Sequence, residues 1–266
     1  MKIIVCVKQV PDPEAPPDSF KIDPAGKKIV VDDHVEHVVS TFDENAAEAA
    51  LRIKDNQEAH ITVLSCGGRL DPKVIKKPLA MGCDDLVLLE GEVFEDGDSW
   101  STAYALACAI RKIDDYQIIL CGRQASDWDS GQVGSGVAEF LGIPCITLAK
   151  KIEVADNKVK VDRLWTDGIE IVEAAMPCLI TVTSEMGEPR YSTISGVMAA
   201  AKKDPIIWGV EDIGLSDSEV GALGRKSRVE KVFKPVKETK CEIIEGETEQ
   251  EAAEALAHRL QEENLL

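Results

Sequence analysis

Short, wholly apolar runs alternate with helically spaced segments along most of this chain, and that alternation narrows the folds open to it. Ile3 to Val7, Ile61 to Ser65, Leu86 to Leu89, Ile118 to Cys121 and Leu179 to Val182 are rich in Val, Ile and Leu and flanked by turn residues, the pattern of strands buried on both faces. Between them, Asp43 to Asp55, Asp71 to Met81, Ser99 to Lys112 and Gln132 to Leu141 carry helical spacing. Strand and helix in turn predict a doubly wound α/β fold around a mostly parallel sheet. Ligands bind beyond the carboxyl ends of the strands in such sheets. The segments after Val7, Ser65, Leu89 and Cys121 are therefore expected to converge on one crevice.

Two segments depart from the alternation. Phe20 to Asp32 places Asp-Pro-Ala-Gly between two alternating runs, and Lys151 to Glu173 uses Asp156-Asn157 and Asp167-Gly168 in the same way, so both are expected to be hairpins decorating the sheet. After Lys203 the density of periodic apolar positions falls. A strand-like Cys241 to Ile244 follows, then an amphipathic helix over Glu247 to Asn264 with Ala252, Ala253, Leu256, Ala257 and Leu260 on one face. The expected organisation is a nucleotide-binding α/β domain over 1–203 and a C-terminal arm over 204–266 that wraps a partner or folds back over its own domain, the former favoured since long loops inside a compact domain are uncommon.

Composition excludes several classes of function. The 30 Lys and Arg stand against 48 Asp and Glu, a formal net charge of −18 that repels nucleic acid and anionic membranes. No apolar run approaches the roughly 20 residues that cross a bilayer. The opening MKIIVCVKQVPDP has too short an apolar core for a signal peptide, so a cytoplasmic location without membrane insertion is expected. The 8 cysteines show no C-x-x-C pairing and mostly lie inside apolar runs, as buried thiols do in a reducing compartment. With 4 histidines, none four residues from another, a metal site has little support.

The segment Gly122 to Pro144, GRQASDWDSGQVGSGVAEFLGIP, carries the strongest chemical signal. It follows a buried strand and enters a helix, which gathers free backbone N–H groups and a positive dipole end at one point and suits a phosphate. Gly131, Gly134 and Gly136 are expected to let backbone approach a ligand, Ser126, Ser130 and Ser135 to offer hydroxyls, and Gln132 to present an amide. Asp127 and Asp129 repel phosphate and are expected to cap the next helix or to accept from ribose hydroxyls. Trp128 stacks on a ring or packs at an interface. A capped helix after an Asx-rich turn is the plain alternative for the whole segment, because its spacing matches neither G-x-G-x-x-G nor the P-loop. Asp98-Ser99-Trp100-Ser101-Thr102 reads as an N-cap or a second contact, and Cys66 before Gly67-Gly68 as packing in preference to a reactive thiol.

VCVKQVPD, ENAAEAALRIKD, VLSCG with LAMGCDD, GRQASDWDSGQVGSGVAEFLGIP and SEMGEPRYSTISGVMAAAKK follow one another along the chain. With them it resembles the beta subunit of electron transfer flavoproteins over essentially its whole length. The resemblance implies an adenine-nucleotide-binding α/β fold and a heterodimer with an alpha subunit around which the C-terminal arm wraps. It implies AMP in simple electron carriers and a second FAD in electron-bifurcating members. The positions it marks for the nucleotide are Cys6, the segment Ser40-Thr41-Phe42-Asp43, Cys66, and the stretch from Ala125 through Val133 to Gly136. Relatives commonly read Asn-Pro-Phe where this chain has Ser40-Thr41-Phe42, so a hydroxyl replaces an amide at position 40. Lys77-Pro78 is a second departure, and the proline is expected to kink its helix or start it late.

Bifurcating members resemble one another in an Asp-Thr-x-x-Thr-like segment along the flavin's ribityl chain. Ser99 and Thr102 keep a hydroxyl at both matching positions, which favours FAD over AMP and implies NAD at a site shared with the partner. Electrons would pass between NADH, a flavin-dependent dehydrogenase and a low-potential acceptor such as ferredoxin. The segment Glu188 to Ala200 resembles the family's recognition loop for that dehydrogenase, with Ile194 as its apolar anchor and Tyr191, Ser192, Thr193, Val197 and Met198 around it. A helix packed on the sheet is the alternative for this segment.

Overall fold

A computed structural model describes residues 1–235 and 241–265 of the chain. Its strands are β1 (Lys2–Cys6), β2 (Gln9–Pro11), β3 (Phe20–Ile22), β4 (Ile29–Val31), β5 (His37–Val39), β6 (His60–Gly67), β7 (Asp85–Glu90), β8 (Ile118–Gly122), β9 (Cys145–Ala155), β10 (Lys158–Trp165), β11 (Gly168–Ala175), β12 (Cys178–Val182) and β13 (Ile206–Trp208). Its helices are α1 (Thr41–Asn56), α2 (Pro72–Ile75), α3 (Lys77–Met81), α4 (Ser99–Ile113), α5 (Val133–Leu141), α6 (Ile194–Ala201), α7 (Gly221–Gly224) and α8 (Glu249–Glu262).

The expected doubly wound sheet is present, with nine strands in the order β11-β10-β9-β12-β8-β1-β6-β7-β13. All neighbours from β9 to β13 in that order run parallel, and only the β9–β10 and β10–β11 pairings are antiparallel. Both faces are covered, which is why the central strands read as unbroken apolar runs. Ile3 and Val5 of β1 pack with Ala46 and Ala50 of α1 and Leu79 of α3, while Ile4 and Cys6 pack on the other face with Ala105 and Ala109 of α4 and Val137 of α5. From β1 the chain winds outward through β6 and β7, then returns to the far side of β1 for β8. The winding therefore reverses between β1 and β8, where Cys6 and Cys121 are register partners at the carboxyl ends. A doubly wound sheet opens its ligand crevice at this place.

The hairpins differ in their placement. Asp156 and Asn157 form the two-residue turn between β9 and β10 with φ of 50° and 59°, the left-handed pair that a type I′ hairpin demands. This antiparallel pair and β11 extend the main sheet, and β9 begins at Cys145, ahead of the expected hairpin, because its first residues pair with β12. Residues Phe20 to Val31 form a separate two-stranded sheet, β3 with β4, and do not join the main one. The helix expected over Asp71 to Met81 breaks into α2 and α3 at Lys76. Pro78 explains the break, since it lacks an N–H and its ring crowds the carbonyl four residues back.

The chain divides into two compact units, Met1–Glu230 and Lys231–Leu266. The first therefore runs past Lys203: β13 adds an edge strand to β7, and Ile213, Leu215 and Val220 are buried against α4. In the second unit the described residues Cys241 to Ile244 form no strand, contrary to expectation. Helix α8 forms as expected, capped by Thr248, whose side chain accepts from the Glu251 N–H, and none of its residues is buried. Among the described residues no helix is long and apolar enough to cross a membrane.

Candidate functional site

Asp43 ties the two strands of the reversal point together. It sits in the first turn of α1, yet its buried carboxylate turns to the sheet. Oδ2 accepts from the Lys8 N–H at 2.8 Å and Oδ1 from the Gly122 N–H at 3.0 Å. The chain leaving β1 and the chain leaving β8 are thus held by one side chain. Glycine is required at 122, because a Cβ there would lie 2.4 Å from Asp43 Oδ1. Burial pushes the Asp43 carboxyl up to about 7, against the pull of the two N–H donors and of Lys8. Ser40, just before α1, donates its N–H to Lys8 O at 2.9 Å and accepts at its hydroxyl from the Ser126 N–H at 3.3 Å.

The loop after β8 closes over the same place. Lys8 Nζ pairs with Asp127 Oδ2 at 2.6 Å, and Ser99 Oγ donates to Ser130 Oγ at 3.2 Å. Hydrogen bonds and register thus bring together the carboxyl end of β1 with Cys6, the residues Ser40 to Asp43, the loop from Ala125 onward and, through Ser99, the start of α4, whereas Thr102 makes no such contact and lies beside Gly97. Cys66 lies at the end of β6, the strand beside β1, and burial pushes its thiol up to about 12, which fits packing and not nucleophilic chemistry. The Ser126 hydroxyl is buried without a partner, and the N-cap of α5, Gln132, makes no side-chain cap. First-turn N–H groups without a cap are the donors an anion needs.

Three expectations for this loop are corrected. Asp127 and Asp129 do not cap α5: Asp127 is paired with Lys8, and Asp129, at φ 50°, accepts from Gln124 Nε2 at 2.7 Å. Gly134 faces the sheet, where a Cβ would meet Thr181 Cγ2 at 2.8 Å, so its smallness seats α5 on β12 and gives a ligand no approach. Gly136 likewise lets α5 close on α4, a Cβ there falling 2.9 Å from Ala103 Cβ. Gly131 alone of the three is exposed and left-handed, at φ 64°. Asp98 does cap α4, accepting from the Ser101 N–H at 3.0 Å. Its other oxygen accepts from Lys226 N, Ser227 N and Ser227 Oγ at 2.7 to 2.9 Å.

A second surface lies on the opposite face of the sheet from α4 and α5. Helix α6 starts at the Thr193 cap and rests on α3, where a Cβ at Gly196 would fall 2.3 Å from Ala80 O. Its outer side is bare: Ile194 is 84% exposed, Met198 60% and Val197 52%, with Tyr191 at 92% just before it. A helix that only packed on its neighbours would turn such residues inward. Another cavity, lined by Met1, Gln57, Gln117, Asp156 and Met176, lies at the amino ends of the strands, away from the crevice.

The sequence has relatives among known proteins. The family described as an electron transfer flavoprotein domain matches residues 28–213. The chain is 37% identical over all of both chains to the caffeyl-CoA reductase-Etf complex subunit CarD of Acetobacterium woodii. It is 39% identical to the electron transfer flavoprotein subunit beta of Megasphaera elsdenii, covering 95% of this chain and 94% of that one. The chain belongs to the electron transfer flavoprotein beta subunit family. The acryloyl-CoA reductase electron transfer subunit gamma of Anaerotignum propionicum is similar as well, at 30% identity over the whole of both chains.

Within this electron transfer flavoprotein beta fold, some contributors escaped the sequence reading. Lys8 stands two residues beyond Cys6 in VCVKQVPD, and nothing in that motif discloses that Asp127 is its partner 119 residues away. Arg123 carries its guanidinium over the Phe42 ring, Cζ 5.0 Å from the centroid, which packs the start of α1 against the loop. Uncapped α5 amides and the buried unpartnered Ser126 hydroxyl are donors of the kind a phosphate takes, while the Lys8 ammonium is already paired with Asp127.

Proposed function

We propose that this beta subunit binds FAD in the β1/β8 crevice and serves in flavin-based electron bifurcation. In this reading it pairs with an alpha subunit and passes electrons between NADH, a flavin-dependent dehydrogenase and a low-potential acceptor such as ferredoxin. The observation that carries the choice of FAD is the Ser99–Ser130 hydrogen bond, which attaches the hydroxyl-bearing start of α4 to the nucleotide loop. A dinucleotide with a ribityl chain makes use of both segments, whereas AMP needs only the loop. Bound flavin would supply the exchange between two-electron and one-electron transfer. The chain's own residues bind and orient: α5 amides and Ser126 hold phosphate, Lys8 and Ser40 anchor the loop through Asp127 and the Ser126 N–H, Ser99 and Thr102 flank the chain beyond, and Asp43 fixes the crevice lips. The uncovered apolar side of α8 supports an arm that wraps the alpha subunit.

Cofactor extraction from the purified heterodimer tests the reading. Two FAD per heterodimer is the expected result; one FAD with one AMP overturns it and leaves a non-bifurcating carrier that holds AMP structurally and docks acyl-CoA-type dehydrogenases.

The bare face of α6 supports a docking role for Ile194. Ile194→Ala is expected to raise the KM for a partner acyl-CoA dehydrogenase by about tenfold or more, the loss typical of a truncated anchor. Flavin content should not change. Lost flavin with unchanged KM would instead make this helix part of the core.

A further inference from the structure

One stripe along α1 grips the segment that leads into α6. Asn45, Glu48, Arg52 and Asp55 lie on a common face at helical spacing, and each has a partner between Met186 and Arg190 or reaches one through the others. Asn45 Nδ2 donates to Gly187 O at 2.9 Å. Arg52 donates to the carbonyls of Met186 and Glu188. Glu48 stands at the centre and is only 4% exposed. Its Oε1 accepts from Arg52 Nε at 2.9 Å, while its Oε2 accepts from both the Arg190 N–H and Arg190 Nε, at 3.0 and 2.9 Å. Asp55 accepts from the far side of the same guanidinium at 2.6 Å.

This arrangement fixes backbone as well as side chains. Successive carbonyls of 186–188 and the amide of 190 are bound to one rigid helix, and the chain turns at Gly187 with φ 104° against the Arg52 guanidinium. Tyr191 and the Thr193 cap follow directly, so the direction in which α6 sets out is decided at Arg190. A surface anchor on a free loop would have to be ordered at each encounter, at the expense of its conformational freedom. Here the lead-in is ordered in advance.

We propose that Glu48 is the positioning residue of the docking surface: by clamping Arg52 and Arg190 it holds 186–190 in the conformation that presents Ile194 to the partner dehydrogenase. The inference rests on the docking reading of α6. Because α1 follows Ser40 directly and carries Asp43 in its first turn, the same helix sets the geometry of the crevice and of the docking face.

Glu48→Gln keeps the volume but turns an amide NH₂ toward guanidinium donors, so one of the two arginines loses its acceptor. In the reconstituted heterodimer, with a purified flavin-dependent acyl-CoA dehydrogenase as electron partner, KM is expected to rise by roughly tenfold, within the range for substitutions that act through another element. Turnover at saturation and cofactor content should be kept. Hydrogen exchange of 186–201 should quicken while the segments around Asp43 stay protected. Faster exchange with unchanged KM, or raised KM without faster exchange, overturns the proposal. Arg190→Lys, which keeps the charge but loses the bidentate contact, serves if Glu48→Gln does not fold, and is expected to move both readouts the same way. Ile194→Ala separates the two claims. If it raises KM and Glu48→Gln does not, positioning fails; if it leaves KM unchanged, the docking reading itself fails.

Discussion

Gly134→Val is expected to destabilise the folded subunit by about 1–3 kcal/mol, the usual range for overpacking a closed interface. The reason is local and steric. A single Cβ at 134 already lies 2.8 Å from Thr181 Cγ2 and 3.5 Å from Cys121 Cβ, and valine adds two methyl groups to that space. Thr181 is buried and its hydroxyl accepts from the Leu148 N–H at 3.1 Å, so it has no freedom to step aside. Helix α5 must instead lift from β12, carrying with it the amide end that faces the crevice. For a domain of this size each kcal/mol lowers the melting temperature by about 2–4 °C. Thermal unfolding reads the effect directly, and nucleotide retention should fall as its consequence. Gly131→Ala is the contrast: its nearest neighbour would be Arg123 O at an ordinary 3.5 Å, so only the left-handed backbone, at φ 64°, resists it. Equal stability of Gly134→Val and the native chain would mean that α5 is not seated as described.

Gly134 also marks how far the sequence was readable. A helix of small residues after a buried strand and a Gly-rich loop was legible, because periodicity and turn chemistry are local properties. The purpose of each glycine was not, since it depends on what lies opposite. Gly122, unremarked in the pattern, is the one that lets Asp43 reach the chain leaving β8, whereas Gly134 and Gly136 serve packing. The same division holds for the fold. The central strands were legible because parallel sheets covered on both faces demand unbroken apolar runs, and Asp156-Asn157 announced its hairpin through the left-handed turn it needs. The short edge strand β13 and the start of β9 were not, because three residues carry no period and Cys145 to Lys150 takes its strand character from β12. Charges that meet across long separations were invisible for a related reason: Arg190 and Glu48 stand 142 residues apart and share no local signature.

Asp43→Asn is expected to separate stability from function. The native carboxylate offers one oxygen to the Lys8 N–H and the other to the Gly122 N–H. Asparagine offers one oxygen and sets an NH₂ against the second donor, leaving a buried N–H unpaired at a cost of about 1–3 kcal/mol to that crevice geometry. Retention of adenine nucleotide through gel filtration should fall in proportion, by about fivefold or more. Stability follows the charge. With burial raising the carboxyl from 3.8 to about 7, the folded chain holds a proton that the unfolded chain releases, so Asp43 lowers stability as pH rises from about 4 to about 7 and adds no further change above that. Asparagine cannot ionise and is free of this decline. Between pH 5 and pH 8 the stability of Asp43→Asn should therefore improve relative to the native chain while its nucleotide retention stays impaired, as expected where a buried charge is kept for a site and not for the fold. Urea unfolding at the two pH values decides the matter: the same pH slope in both proteins would show that Asp43 titrates as an ordinary carboxylate, and full retention in the variant would release it from any part in shaping the crevice.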